Sequence, residues 1–249
     1  MEIQDLNIDL NIAKKAAKES GKFLLKNKKK LNKDLQSNQK DTKLLADIES
    51  ENLIKDIITT QSKYPILAEE TGKSVNDLGD TFWVIDPLDG TANYNRGIPI
   101  CCVSIGLVKN MKPILGVIYD FNNDLIYTGD KISNLSLMND EPIKVSNKMN
   151  KDDSVLITGL PHHTDYSSKS LGKMIKDMQT WKKVRMIGSA AIASCYIASG
   201  KAERYQEKGV YLWDIIAGAA IVESAGGTAD ILNLRENFQV DVVFSNLKN

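Results

Sequence analysis

The chain has no surplus of charge. Its 32 lysines and arginines are matched by 32 aspartates and glutamates, so nothing in the balance favours a nucleic acid as partner. The one basic cluster, Lys26, Lys28, Lys29, Lys30 and Lys33, has no interleaved aromatics and reads as the solvated end of a helix. No run of about eighteen apolar residues is present, which argues against a membrane-spanning helix. The N-terminal segment carries Glu2, Asp5 and Asp9 in place of a basic region followed by an apolar one, so a cytoplasmic location is expected. Cysteine is scarce: Cys101, Cys102 and Cys195 cannot form an all-paired framework, and adjacent cysteines rarely bridge each other. They are expected to be reduced, buried small side chains. Internal repeats and low-complexity linkers are also missing.

What is present is ordinary globular material. At 249 residues the chain can bury a core without metal or disulfide staples, and its 42% hydrophobic and 26% charged content lies near globular averages. Ile8, Ile12, Ala16 and Phe23 recur at helical spacing, and a second helix is expected from Asp47 to Thr60 after the polar stretch Asn32 to Lys40. Ile66 to Ala68 and Phe82 to Ile85 are short apolar runs, each ending in an acidic residue, as strands that deliver carboxylates would. The runs Ile100 to Val108 and Ile114 to Tyr119 predict a hairpin turning at Lys109-Asn110. Strand character continues to about Leu137. Beyond the polar stretch Asn139 to Asp153, strands (Val155–Thr158, Val184–Met186, Ala202–Tyr205, Val240–Phe244) alternate with helices (Ser170–Thr180, Ala190–Ala198, Trp213–Ser224). The order predicts an α+β half over residues 1–145, carrying most candidate ligands, and an α/β half over 146–249, the two sharing one core as packed layers.

The segment Asp86-Pro87-Leu88-Asp89-Gly90-Thr91 carries the chemistry. Proline fixes φ and glycine permits a tight turn, so this loop can aim two carboxylates and a main-chain carbonyl at one point. Such a point suits Mg²⁺, which takes oxygen ligands, keeps several waters and completes its shell with substrate phosphate. The same residues also make an ordinary capped turn. Acidic residues at other element ends weigh against the plain turn: Glu69-Glu70 follows the preceding strand, and Asp214 opens an apolar helix, although a carboxylate there is favoured on its own account.

Trp83 to Tyr94 resembles the first signature of the inositol monophosphatase-like family, the lithium-sensitive, metal-dependent phosphatases. Trp213-Asp214-Ile215-Ile216-Ala217-Gly218 with Ala225-Gly226-Gly227 resembles the second. Ala68-Glu69-Glu70, Gly188-Ser189-Ala190-Ala191 and Glu207 fall in the family's order, so the resemblance covers nearly the whole chain. Ile216 departs from it, standing where the family usually has Ala or Cys. The resemblance implies a layered αβαβα sandwich of the sugar-phosphatase type, two to three Mg²⁺ ions, and a homodimer acting on a small-molecule phosphate ester. One ion would be held by Glu69, Asp86 and the Leu88 carbonyl, and a second by Asp86, Asp89 and Asp214; a third would lie beside Glu69. Thr91 and Asp47, with Glu69, would serve the attacking water. Substrate contacts would come from Asp89, Gly90, Thr91, Gly188, Ser189, Ala190, Glu207 and Asp214.

Glu207, matching the acid that contacts substrate hydroxyls in the family's sugar-type members, favours a polyol phosphate, most readily an inositol monophosphate, because a carboxylate accepts hydrogen bonds from vicinal hydroxyls. Ala92-Asn93-Tyr94 and Ala190-Ala191 count against the 3′(2′),5′-bisphosphate nucleotidases. Fructose-1,6-bisphosphatase and histidinol-phosphatase activities stay open, as does a non-catalytic, metal-binding regulatory role. His162 and His163 are not required by this chemistry.

Overall fold

The computed structural model describes residues 3–37, 42–160 and 166–246. Helix α1 (Ile3–Leu31) buries Ile12, Ala13, Ala16, Ala17 and Leu24 along one stripe, as spacings of three and four residues require, and leaves Lys15, Lys22, Lys26, Lys29 and Lys30 exposed. A small antiparallel pair, β1 (Asp34–Ser37) and β2 (Thr42–Leu44), follows, so part of the stretch expected as an irregular break is strand. Helix α2 (Leu45–Thr59) starts two residues before the expected Asp47. The reason is capping: Asp47 occupies its third position, and Asp47 Oδ2 accepts the N–H of Leu44 at 2.6 Å.

The first half continues with β3 (Ile66–Ala68), β4 (Gly72–Lys73), β5 (Thr81–Asp89), α3 (Thr91–Arg96), β6 (Cys102–Lys109), β7 (Lys112–Asp120), β8 (Leu125–Asp130), β9 (Leu135–Met138) and β10 (Glu141–Pro142). These strands form an eight-stranded mixed sheet in the order β10-β9-β8-β7-β6-β5-β3-β4, antiparallel except where β3 runs with β5. The β6–β7 hairpin turns at Asn110-Met111, one residue later than expected. Both residues have positive φ, 49° and 58°, as a two-residue turn matched to strand twist demands.

The second half supplies β11 (Val155–Thr158), α4 (Ser168–Met178), β12 (Lys183–Arg185), α5 (Ala190–Ala198), β13 (Arg204–Tyr211), α6 (Leu212–Ser224), β14 (Thr228–Leu232) and β15 (Gln239–Ser245). Its five strands are ordered β12-β11-β13-β15-β14, parallel among β12, β11 and β13 and antiparallel among β13, β15 and β14. Strand β14 is absent from the sequence reading, because Thr228–Leu232 is a half-buried edge with no clean alternation.

Alternation along β5 assembles the layers. Trp83 and Ile85 join Leu24 and Ile54 in a core beneath α1 and α2, while Phe82 and Val84 face the opposite way, into a core built around α5 and α6 and closed by Tyr205, Val242 and Phe244 of the second sheet. On β13, Tyr205 points into that central core, and its neighbour Gln206 donates from Nε2 to Asp177 Oδ2 of α4 at 2.9 Å. Helix α4 therefore covers the outer face of the second sheet. The result is the expected αβαβα sandwich, two mixed sheets flanked and separated by helices.

Helix α6 is apolar on all sides from Ile215 to Val222, as a helix between two sheets must be. It lies unusually close to the large sheet because Gly106, Gly116 and Gly129 stand in direct cross-strand register on β6, β7 and β8. A Cβ built on Gly116 would lie 2.1 Å from the Ala217 carbonyl oxygen, and one on Gly129 would lie 2.4 Å from Ile221 Cα. The same row accommodates Ile216, whose Cγ2 would be 2.6 Å from a Cβ on Gly106. The extra bulk at the position that departs from the family pattern occupies space this glycine leaves open.

Candidate active site

Strand β5 does not stop before the acidic motif, as its apolar run suggested, but carries through it. Asp86 pairs with Ser104 and Asp89 with Cys102, so three steps on β5 oppose two on β6, and this bulge re-aims the strand's end. Gly90 then adopts φ 87° at the start of α3, where a Cβ would meet the Ile100 carbonyl at 2.8 Å; glycine is required there on both counts.

Around this turn lies a cavity of about 540 Å³. Glu69, Asp86, Leu88, Asp89, Gly90, Thr91, Gly188, Ser189, Ala190, Glu207 and Asp214 all line it. Every candidate drawn from the sequence is thus brought to one place except Asp47, which stands one contact behind: Thr91 Oγ1 lies 3.0 Å from both Asp47 Oδ1 and the Leu88 carbonyl oxygen. His162 and His163 fall outside the described residues.

Five carboxylates and neither lysine nor arginine line the cavity among the described residues. Burial pushes Asp47 up to about 7, against the hydrogen bonds from Leu44 and Thr91 that favour its ionised form. Burial likewise lifts Glu207 to about 7, with Tyr205 Oη donating to Glu207 Oε2 at 3.1 Å and opposing the shift. Asp86 is raised well above the ordinary carboxylate range by burial and then by the charges of Glu69, Asp89 and Asp214. Glu69 lines the cavity with an exposed side chain, and its carboxyl is raised by desolvation and by the charges of Asp214, Asp47 and Glu70. Asp214 rises for the same reasons, chiefly desolvation and Asp89, while its Oδ2 accepts the Tyr211 N–H at 2.7 Å at the start of α6. Asp47 and Asp214 therefore hold equivalent third positions in two helices, where a carboxylate satisfies an orphan N–H.

Asp89 differs from the others. Although burial raises it too, Ser189 Oγ donates a short hydrogen bond to its Oδ2, the Ala191 N–H does so at 2.9 Å, and the Ala190 N–H reaches Oδ1 at 3.3 Å. These donors are the open end of α5, which favours a negative charge. Ser189, expected to touch substrate, spends its hydroxyl on Asp89 and on capping Ile192 at 3.2 Å.

The sequence reading missed several supports. Glu51, buried in α2, accepts the Glu70 N–H at 2.8 Å and the Thr71 hydroxyl at 2.6 Å, and so holds the turn that carries Glu69. Its signal was its place three and seven residues before Ile54 and Ile58 on the buried stripe, at helical spacing. Gly159 had no signal in the sequence; a Cβ there would lie 2.2 Å from Glu207 Oε1.

The donor set is all oxygen, as a hard cation requires. Among the described residues, no three His, Cys, Asp or Glu side chains are gathered closely enough to hold a metal ion by themselves. Carboxylates spread along cavity walls instead suit an ion that keeps waters and takes a ligand from its substrate.

The pattern of the inositol monophosphatase family matches residues 5–240. The chain belongs to that family. Among its relatives, inositol monophosphatase 2 of Saccharomyces cerevisiae is 35% identical over 211 residues, covering 78% of this chain and 70% of the yeast protein. The Nus factor SuhB of Xylella fastidiosa is 35% identical over 222 residues, covering 88% of this chain and 80% of that protein. The structure of an inositol monophosphatase from Anabaena (Nostoc) superposes with a TM-score of 0.83 at 31% identity, over 97% of this chain and 92% of that one. Membership of the inositol monophosphatase family thus rests on sequence and fold together, while its relatives carry two kinds of name.

Proposed function

We propose that the protein is a Mg²⁺-dependent phosphatase that hydrolyses a phosphate monoester of a small polyol, inositol monophosphate in the first instance. The observation that carries this reading is the cavity lined by five carboxylates and, among the described residues, by no lysine or arginine. A phosphate dianion is repelled from such a space unless cations accompany it, and the oxygen donors match the cation that does so in phosphoryl transfer. Glu69, Asp86, the Leu88 carbonyl, Asp89 and Asp214 would hold two to three Mg²⁺ ions. When bound, the metal acidifies a water and neutralises charge on the leaving oxygen.

The remaining steps belong to the protein. Thr91 Oγ1, hydrogen-bonded to Asp47, orients the attacking water, and Asp47, one contact behind the cavity, takes up that water's proton by way of the Thr91 hydroxyl, which passes on its own. The main-chain N–H groups at Gly90 and Thr91 face the phosphate oxygens. Glu207 accepts hydrogen bonds from hydroxyls of the organic group. No covalent intermediate is required, and Cys101, Cys102 and Cys195 are free and buried.

The test is release of inorganic phosphate by the purified protein from inositol 1-phosphate, with fructose 1,6-bisphosphate, histidinol phosphate and a 3′,5′-bisphosphate nucleotide in parallel. Release that needs Mg²⁺, stops with chelator and falls with lithium supports the reading, and the substrate ranking separates the alternatives. Absence of release from every ester would favour a non-catalytic regulatory role instead. Homodimerisation is part of the same proposal and is read from the mass in solution.

Acidity gives an independent check. The folded protein holds protons on Asp47 and Glu207 up to about pH 7, whereas the unfolded chain releases them near about pH 4. The folded state therefore binds more protons between these limits, and metal-free stability should fall as pH rises through that window. Metal binding needs the ionised forms, so Mg²⁺ should raise the unfolding temperature more at about pH 8 than at about pH 5.5. Equal stabilisation at both would contradict the acidic site.

A further inference from the structure

Asn93 lies in α3, and its side chain lines the cavity. Its Nδ2 donates to the carbonyl oxygens of Ile100 and Ile187, each at 2.8 Å, and approaches that of Gly188 at 3.2 Å. All three partners are acceptors. The amide orientation is therefore determined, since the flipped form would set oxygen against three oxygens. Ile100 leads into β6, beside the Asp86–Thr91 loop, whereas Ile187 and Gly188 sit 94 and 95 residues away in sequence, immediately before α5. One carboxamide thus fastens two separate walls of the cavity to each other.

Gly188 is shaped to receive it. Its φ is 71°, and a Cβ there would lie 3.2 Å from Asn93 Nδ2 and 3.5 Å from Oδ1. A side chain at this position would be strained and would crowd the amide. The facing wall, residues 186–190, carries Met186 and Ile187 into the cavity and continues into Ser189 and Ala190, which engage Asp89. Neither Met186 nor Ile187 has a hydrogen-bonding side chain of its own to anchor this stretch.

We infer that Asn93 is a positioning residue for substrate selection: by holding the Ile187 and Gly188 carbonyls it sets the gap between the metal-binding loop and the wall that the organic group meets. The kinetic consequence rests on the proposed phosphatase function; the tie itself does not. A phosphate ester with no hydroxyls engages chiefly the Asp86–Thr91 loop. A polyol ester must also fit against residues 186–190, and a misplacement of about 1 Å at such a contact costs up to about a hundredfold.

The experiment compares wild type with Asn93→Ala, Asn93→Asp and Gly188→Ala, using inositol 1-phosphate and phenyl phosphate with Mg²⁺, and hydrogen–deuterium exchange across residues 186–191. The ratio of kcat/KM for inositol 1-phosphate to that for phenyl phosphate should fall about tenfold or more in Asn93→Ala, mostly through KM. Asn93→Asp should be worse than Ala despite its similar shape, because a carboxylate would face three carbonyls. Gly188→Ala should shift the ratio in the same direction. Amides 186–191 should exchange faster in Asn93→Ala, while those of α6 do not. Unchanged exchange at 186–191 would overturn the tie whatever the substrates do. Faster exchange with a parallel fall for both esters would overturn the role in selection. If wild type releases phosphate from neither ester, the phosphatase reading has failed, and the exchange result still decides the tie.

Discussion

Asp86→Asn should abolish phosphate release and, at the same time, make the metal-free protein more stable. The substitution preserves shape, and asparagine Oδ1 can still accept the Leu88 N–H that now reaches Asp86 Oδ1 at 2.9 Å. What changes is one charge. In the proposed site Asp86 is shared between two ions, so its loss removes several kcal/mol of transition-state stabilisation; about 4 kcal/mol is roughly a thousandfold in rate. In the metal-free protein the effect has the opposite sign. Asp86 is buried, and Glu69, Asp89 and Asp214 all disfavour its ionised form, so replacing it relieves a repulsion that folding imposes. Steady-state phosphate assays and thermal unfolding in chelator read the two halves. An enzyme still within tenfold of wild type, or an Asn variant that melts lower without metal, would contradict this account of the cluster.

The acidic motif was readable from the sequence because its parts are neighbours in the chain. Asp86, Leu88, Asp89, Gly90 and Thr91 needed only turn chemistry to be placed together, and Glu69 and Asp214 could be attached to them because each ends or opens an element. Asp47 was legible through the family resemblance, and the fold gives its physical setting as the third residue of α2, bonded to Leu44 and Thr91. The supports were not readable in the same way. Asn93 looks like one more polar residue of a signature until Ile187 and Gly188, more than ninety residues later, come within reach of its amide. Ser189 was expected at the substrate through the family resemblance alone; its bond to Asp89 depends on how the first residues of α5 meet the end of β5. Strand β14 and the Gly159–Glu207 packing are likewise products of pairing between distant segments, which no local pattern encodes.

Gly116→Ala is the substitution expected to damage the fold most for the fewest added atoms. One helical turn rises about 5.4 Å and neighbouring strands lie about 4.8 Å apart, so successive turns of α6 can meet successive strands; Ala217 rests on Gly116 and Ile221 on Gly129. The added methyl at position 116 would stand 2.1 Å from the Ala217 oxygen and 2.8 Å from its carbonyl carbon. Both are backbone atoms, in a helix enclosed by two sheets, so no side chain can rotate away and the helix itself must move. Overpacking of this kind typically costs about 1–3 kcal/mol and occasionally more. Because an entire buried helix must shift, about 4 kcal/mol is expected, a fall in unfolding temperature of roughly 10 °C for a chain of this size. Gly172→Ala is the control: it is also helical, a Cβ there meets nothing within 4 Å, and alanine's better helix propensity should leave stability unchanged or raised by up to about 1 kcal/mol. Displacing α6 also displaces Asp214, so Gly116→Ala should weaken Mg²⁺-dependent stabilisation even below its melting transition. A Gly116→Ala protein that melts within about 1 °C of wild type would show that helix and sheet are not locked together by this row of glycines.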